Sequence, residues 1–168
     1  MCRRLATLCL IAVLAIAVFS GCVEKSPLES ALAEYGKVVE GKLPEDIRLT
    51  IYYIDPNIYT RVPLSKDALI TFPGVKMITV QSGELASEWE LLKELKPSIL
   101  QPIQEGSYIN ARLCYIFEVG NSNEILEVII SQIHGNVFVN GIEVEDHPVF
   151  YKLIGSFLTD QDRETLGI

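Results

Sequence analysis

Between Ile109 and Val144 the chain alternates apolar and polar residues, interrupted only by short turn signals, with no stretch long enough for a crossover helix. Parallel neighbours need a connection of a dozen or more residues, so strands this close in sequence pair antiparallel. Ile109, Ala111, Leu113, Tyr115, Phe117 and Val119 fall on one face of the first run, against Asn110, Arg112, Cys114, Ile116 and Glu118 on the other. Gly120-Asn121-Ser122-Asn123 turns into a second run over 124–133, and His134-Gly135-Asn136 turns again. Asn140-Gly141, between 137–139 and 142–144, is the sharpest turn signal, because both residues tolerate the positive φ of a type I′ hairpin.

The remaining elements must pack on this meander. Asp46 to Asp55 sets Ile47, Leu49, Ile51 and Tyr53 against Arg48, Thr50 and Tyr52 and closes on Asp55-Pro56-Asn57, which predicts a half-buried strand. Val75 to Val80 predicts a second short strand, ended by Gln81-Ser82-Gly83. Residues 58–74, bracketed by Pro63 and Pro73, read as a loop with one short helical turn.

Ser26-Pro27-Leu28-Glu29 combines a cap, a first-turn proline and an acidic third position. It opens a helix with Leu28, Ala31, Leu32, Tyr35, Val38 and Val39 on one face, which Gly41 stops. Ser87 to Glu90 repeats the capping signature before a stripe of Leu85, Trp89, Leu92, Leu91 and Leu95, and Pro97 ends it. Trp89 belongs to that stripe and is expected in the core. A third helix starts at Asp146-His147-Pro148 and carries Phe150, Leu153, Ile154, Phe157 and Leu158, with the polar tail from Thr159 as a last fraying turn. The predicted class is α+β: a mainly antiparallel sheet of five or six strands with about three helices packed on one face.

The first twenty-two residues have a different character. Arg3 and Arg4 precede an apolar run from Leu5 to Phe19, which as a helix reaches roughly 22 Å against the ~30 Å of a bilayer core. A basic start, a short apolar core and small residues before a cut are the parts of an export signal. Ala15-Ile16-Ala17 offers an ordinary cleavage site, and an uncleaved anchor is the other alternative. Ser20-Gly21-Cys22 resembles the lipobox of bacterial lipoproteins, with Phe19 standing where that family usually has an aliphatic residue. The resemblance implies diacylglycerol on the Cys22 sulfur and cleavage just before it. It covers residues 1–22 alone and implies nothing about the fold beyond.

On that reading 1–21 is a signal peptide, 22–25 a lipidated tether and 26–168 one α+β domain, held at the extracytoplasmic face of a bacterial membrane through Cys22. Two acyl chains anchor stably where one is marginal. Fourteen basic and twenty-two acidic residues give a net charge of −8, which becomes −10 once Arg3 and Arg4 leave with the signal. Nucleic acid is therefore excluded as a partner, since its binding needs a basic face. Cys2 and Cys9 also leave with the signal, so Cys114 is alone beside the lipidated Cys22 and reads as a buried small apolar side chain.

Catalytic motifs are missing from the sequence. His134 and His147 are the only imidazoles, and neither stands in a nucleophile or metal motif; with Glu145 and Asp146 they suggest at most a weak surface metal site. Glu84, Glu88, Glu143 and Glu145 read as solvated carboxylates or caps. No catalytic, cofactor or metal site is expected. The expected function is a non-catalytic, membrane-tethered module that binds a protein or a cell-wall component. Two other readings stay open: an acidic inhibitor or immunity-type protein that captures a cationic lytic protein, and a small hydrolase built on His134, His147 or Cys114.

Overall fold

The computed structural model describes residues 27–41, 45–104, 106–120, 123–131 and 135–168. The signal, Cys22, the Ser26 cap and His134 lie outside them. Six strands, β1 (Ile47–Tyr53), β2 (Lys76–Gln81), β3 (Leu113–Val119), β4 (Asn123–Ile130), β5 (Val137–Val139) and β6 (Ile142–Val144), form one sheet in the order β2-β1-β3-β4-β5-β6. Every pairing is antiparallel. The α+β class is as expected, and Asn140 (φ 48°) and Gly141 (φ 78°) make the predicted left-handed turn. Asn140 also fixes that hairpin to the sheet: its Oδ1 accepts from Glu127 N at 2.7 Å and its own N donates to Glu127 O at 2.9 Å.

Six helices accompany the sheet among the described residues: α1 (Pro27–Glu40), α2 (Lys66–Ile70), α3 (Ser82–Leu85), α4 (Trp89–Leu92), α5 (Val149–Gly155) and α6 (Asp160–Leu166). All but α2 cover one face. There Leu32, Tyr35, Leu85, Leu92, Phe150 and Leu153 bury against Leu49, Ile51, Tyr115, Phe117 and Val128. Two buried hydroxyls tie the layers together: Tyr35 Oη donates to Leu92 O at 2.9 Å and Tyr115 Oη to Phe150 O at 3.2 Å. Burial pushes both phenols up in pKa, so they stay protonated donors. Trp89 is half-buried against this core, as its stripe predicted.

The opposite face is covered too. Segment 54–75, with α2 capped by Ser65 (Ala68 N to Oγ, 3.2 Å), lays Ile54, Leu64 and Leu69 onto Cys114, Ile116, Ile129 and Phe138. The predicted short helical turn is there, but the segment is a lid on the sheet rather than a plain surface loop. Lys66 on α2 anchors it through Glu127 (2.6 Å) and Glu124 (3.3 Å).

Other details differ from the sequence reading. Residues 109–112 do not extend β3: Ala111 and Ile109 pack in the second-face cluster with Cys114, so the alternation slips at Arg112-Leu113. Ala111 N donates instead to Leu64 O at 2.8 Å, while Arg112 N still reaches Ile130 O of β4 at 3.0 Å. The helical segment after β2 begins at Ser82 and breaks into α3, a 3₁₀ turn over Ala86–Glu88, and α4. Ser87 does not cap it, because its hydroxyl bonds back to Glu84 O at 2.7 Å.

The polar tail is a separate, well-made helix. Thr159 caps α6 by accepting from Asp162 N at 3.1 Å, and Gly167 ends it at φ 72°. Asp162 is buried beside Lys76 (2.6 Å) and accepts from Thr159 Oγ1 at 2.7 Å, so α6 is clamped to edge strand β2. The Lys76 and Thr159 bonds, opposed by burial, hold this carboxyl down at about 2, against an ordinary 3.8. A group that is more acidic folded than unfolded contributes stability above the unfolded pKa and loses it as pH falls through the folded one. The urea midpoint of the wild-type chain should therefore exceed that of Asp162→Asn near neutral pH, and the gap should close between about pH 4 and about pH 2. A gap independent of pH would show that the clamp is not ionic.

Candidate functional site

The end of the sheet where β1 finishes and β3 begins gathers polar side chains that strand geometry alone does not explain. The hairpin β5–β6 sets Phe138 opposite Glu143, so the Glu143 side chain is delivered to the second face, where it is 5 % exposed. It accepts from Ser107 N and from Asn136 Nδ2, and from Ser107 Oγ at 2.7 Å. Those bonds, Asn136 first, keep its carboxyl below the usual carboxylate range although burial acts the other way. Asn136 Nδ2 donates in addition to Ser107 Oγ. The segment leading to Ser107 is held along the outer edge of β6, with Ile103 N donating to Glu143 O at 3.0 Å and Glu145 N to Gln101 O at 2.9 Å. One buried carboxylate thus braces a loop against a sheet edge.

Beside that brace lies a recess of about 120 Å³, lined by Ser107, Tyr108, Asn110, Ser131 and Asn136. Its wall is rigidly built: Asn110 N donates to Ser131 Oγ at 2.9 Å, Asn110 Oδ1 accepts from Leu64 N at 3.1 Å, and Ser131 N donates to Asn136 O at 2.8 Å. Tyr108, by contrast, is 74 % exposed, and Tyr59 on the neighbouring loop is fully exposed. The two loops are joined where Arg112 Nη2 donates to Thr60 Oγ1 at 3.2 Å. Arg112 is itself buried, and among the described residues its Nη1 has no hydrogen-bond partner. A buried donor left over is the kind of group that a ligand or an ordered water satisfies.

The residues singled out from sequence fare differently. Cys22 and His134 lie outside the described residues. His147 heads α5, where its Nδ1 accepts from Val149 N at 3.2 Å. Cys114 is buried on the other side of the sheet, and burial, reinforced by nearby Glu127, pushes its thiol up in pKa. The structure does not bring these two together, since α5 packs on the first face and Cys114 on the second. Glu84, Glu145 and Asp146 are exposed and Glu88 is half-exposed. Glu143 alone among the acidic candidates is buried, contrary to its reading as a solvated carboxylate, because the two-residue turn fixes its face. Among the described residues no group of three metal-ligating side chains assembles, and no helix is long and apolar enough to cross a membrane.

The signal that could have found this end was the hairpin register, which places Glu143 with Phe138. No family model matches the chain, and no curated protein or solved structure matches it.

Proposed function

We propose that the protein is a lipid-anchored module of the bacterial envelope, tethered through Cys22, that binds its ligand with the end of the sheet formed by 59–64, 107–112, Ser131 and 135–136 and does not transform it. The observation that carries the binding reading is the pairing of an exposed aromatic side chain, Tyr108, with a recess of neutral polar groups on a braced wall. Surface tyrosines beside such groups offer area at small entropic cost, since few torsions are frozen on contact. The buried thiol of Cys114 and the engagement of His147 Nδ1 by Val149 N support a binding role over nucleophilic chemistry. A tether raises the effective concentration of a weak binder for anything fixed in the same envelope, so modest affinity suffices.

Replacing Cys22 by alanine should abolish incorporation of labelled fatty acid into the protein, because the acyl chains are carried on that residue. Envelope pull-downs with the wild-type chain in detergent should enrich a partner that Tyr108→Ala fails to hold. A Cys22→Ala protein that still takes up labelled fatty acid would contradict the tether, and equal capture by Tyr108→Ala would contradict the binding end.

A further inference from the structure

We propose that the recess beside Tyr108 receives the acetamido group of an N-acetylated saccharide, with the sugar ring laid on the tyrosine. This deepens the binding-end reading and rests on it, but it is independent of the anchor. The internal hydrogen bonds decide which groups face the recess with capacity to spare. Asn110 commits its Oδ1 to Leu64 N, which leaves its Nδ2 as a donor among the described residues. Asn136 turns its Nδ2 toward Ser107 Oγ and Glu143 Oε1, which leaves its Oδ1 as an acceptor among the described residues. A donor and an acceptor on one small wall match the carbonyl oxygen and N–H of a secondary amide.

Charge and size narrow the class. The Glu143 carboxylate behind the wall is engaged by Ser107 and Asn136, and among the described residues no charged side chain lines the recess, so a neutral ligand group is favoured over an anion or cation. At about 120 Å³ the recess takes a substituent and not a whole ligand, since sites that engulf one start at roughly 300 Å³. The rest of the ligand must therefore lie outside, against Tyr108, whose exposed ring offers an apolar face to a sugar's C–H groups. A peptide bond presents the same amide but no flat ring of C–H groups to stack, which is why a saccharide is the better fit.

The test is saturation-transfer difference NMR on the full chain in detergent, with the trimer of N-acetylglucosamine, the trimer of glucose and N-acetyl-dialanine methylamide as probes. The expected result is saturation of the N-acetylglucosamine trimer alone, strongest on its acetyl methyl. Tyr108→Ala should weaken that binding by about tenfold, in keeping with loss of one stacked ring. Asn110→Asp keeps the acceptor for Leu64 N but removes the donor, and should abolish it. Both variants should unfold in urea as the wild type does, which separates a lost contact from a lost fold. Equal saturation of the glucose trimer or of the dipeptide overturns the acetamido assignment. Absence of saccharide binding, with envelope capture still dependent on Tyr108, overturns the ligand class while leaving the binding end in place.

Discussion

Phe117→Ala is expected to lower the unfolding free energy by about 3–5 kcal/mol, the usual cost of deleting a fully buried aromatic ring. Phe117 is completely buried in the centre of β3, flanked in register by Leu49 on β1 and Leu126 on β4. Its ring meets Tyr35 of α1 edge-on at 5.6 Å and Tyr115 at 6.2 Å, so one side chain joins the sheet to the first helix. The β3–β4 register shifts by one residue just after Phe117, where β4 carries the extra residue Ile125. Domains of this size hold only about 5–15 kcal/mol in total, so the variant should sit close to the limit of folding. The urea midpoint is the measurement, and a fall of about 2 M is expected for a slope near 2 kcal/mol/M. A midpoint within a few tenths of the wild-type value would mean that the Tyr35–Phe117–Tyr115 cluster is not where the layers are joined.

The second large effect is expected at Glu143. Glu143→Ala removes three hydrogen bonds to a charged acceptor and leaves Ser107 N without its carboxylate, while Asn136 Nδ2 keeps only Ser107 Oγ. The global cost should be about 1.5–3 kcal/mol, the usual net value of hydrogen bonding to a charged acceptor, since Ser107 and Asn136 are exposed and water can take up the donors set free. The local effect should be larger than the global one. Amide exchange should accelerate across 106–110 well before β3 and β4 exchange, since the loop loses its brace while the core is untouched. Glu143 is also more acidic folded than unfolded, so its contribution is present above the ordinary glutamate pKa and disappears as the pH falls below it. Uniform exchange across the whole sheet in the variant would contradict a local brace.

These two residues show what could be read from the sequence and what could not. Phe117 was legible: a strict alternation from Leu113 to Val119 places it with Tyr115 on one face, and antiparallel pairing follows from the short connections. The Asn140-Gly141 turn and the α1 stripe were equally plain, since each rests on local chemistry. The lid formed by 54–75 was not, because Pro63 and Pro73 break any period and its apolar residues Ile54, Leu64 and Leu69 are spaced by the path of the chain over the sheet. Periodicity also misled at Ile109 and Ala111, which continue the apolar count of β3 but turn to the second face after the slip at Arg112. Glu143 was hidden by composition. Among twenty-two acidic residues a single buried one has no signature of its own, and only the hairpin register, by pairing it with Phe138, sets it apart. The tail was underestimated for the opposite reason: Thr159 and Gly167 are good caps, but they frame a helix whose apolar contribution is little more than Leu166.

The candidate site is therefore a tertiary product. Ser107, Asn110 and Asn136 come from three stretches that share no motif, and the fold brings them together by closing the β6 edge with 101–103 and by pinning 64 against 110. The envelope setting, on the other hand, rests on the first twenty-two residues alone. The two parts meet in one proposal, a small sheet domain leashed by a few residues to a bilayer and presenting a neutral, aromatic-edged recess.

The most direct test of that proposal is the intact mass and N-terminal fragment spectrum of the native protein purified from bacterial membranes. The account predicts a chain that begins at Cys22, with a diacylglycerol thioether on its sulfur. A chain that begins at any other residue, with an unmodified thiol at Cys22 or with no Cys22 at all, would contradict it.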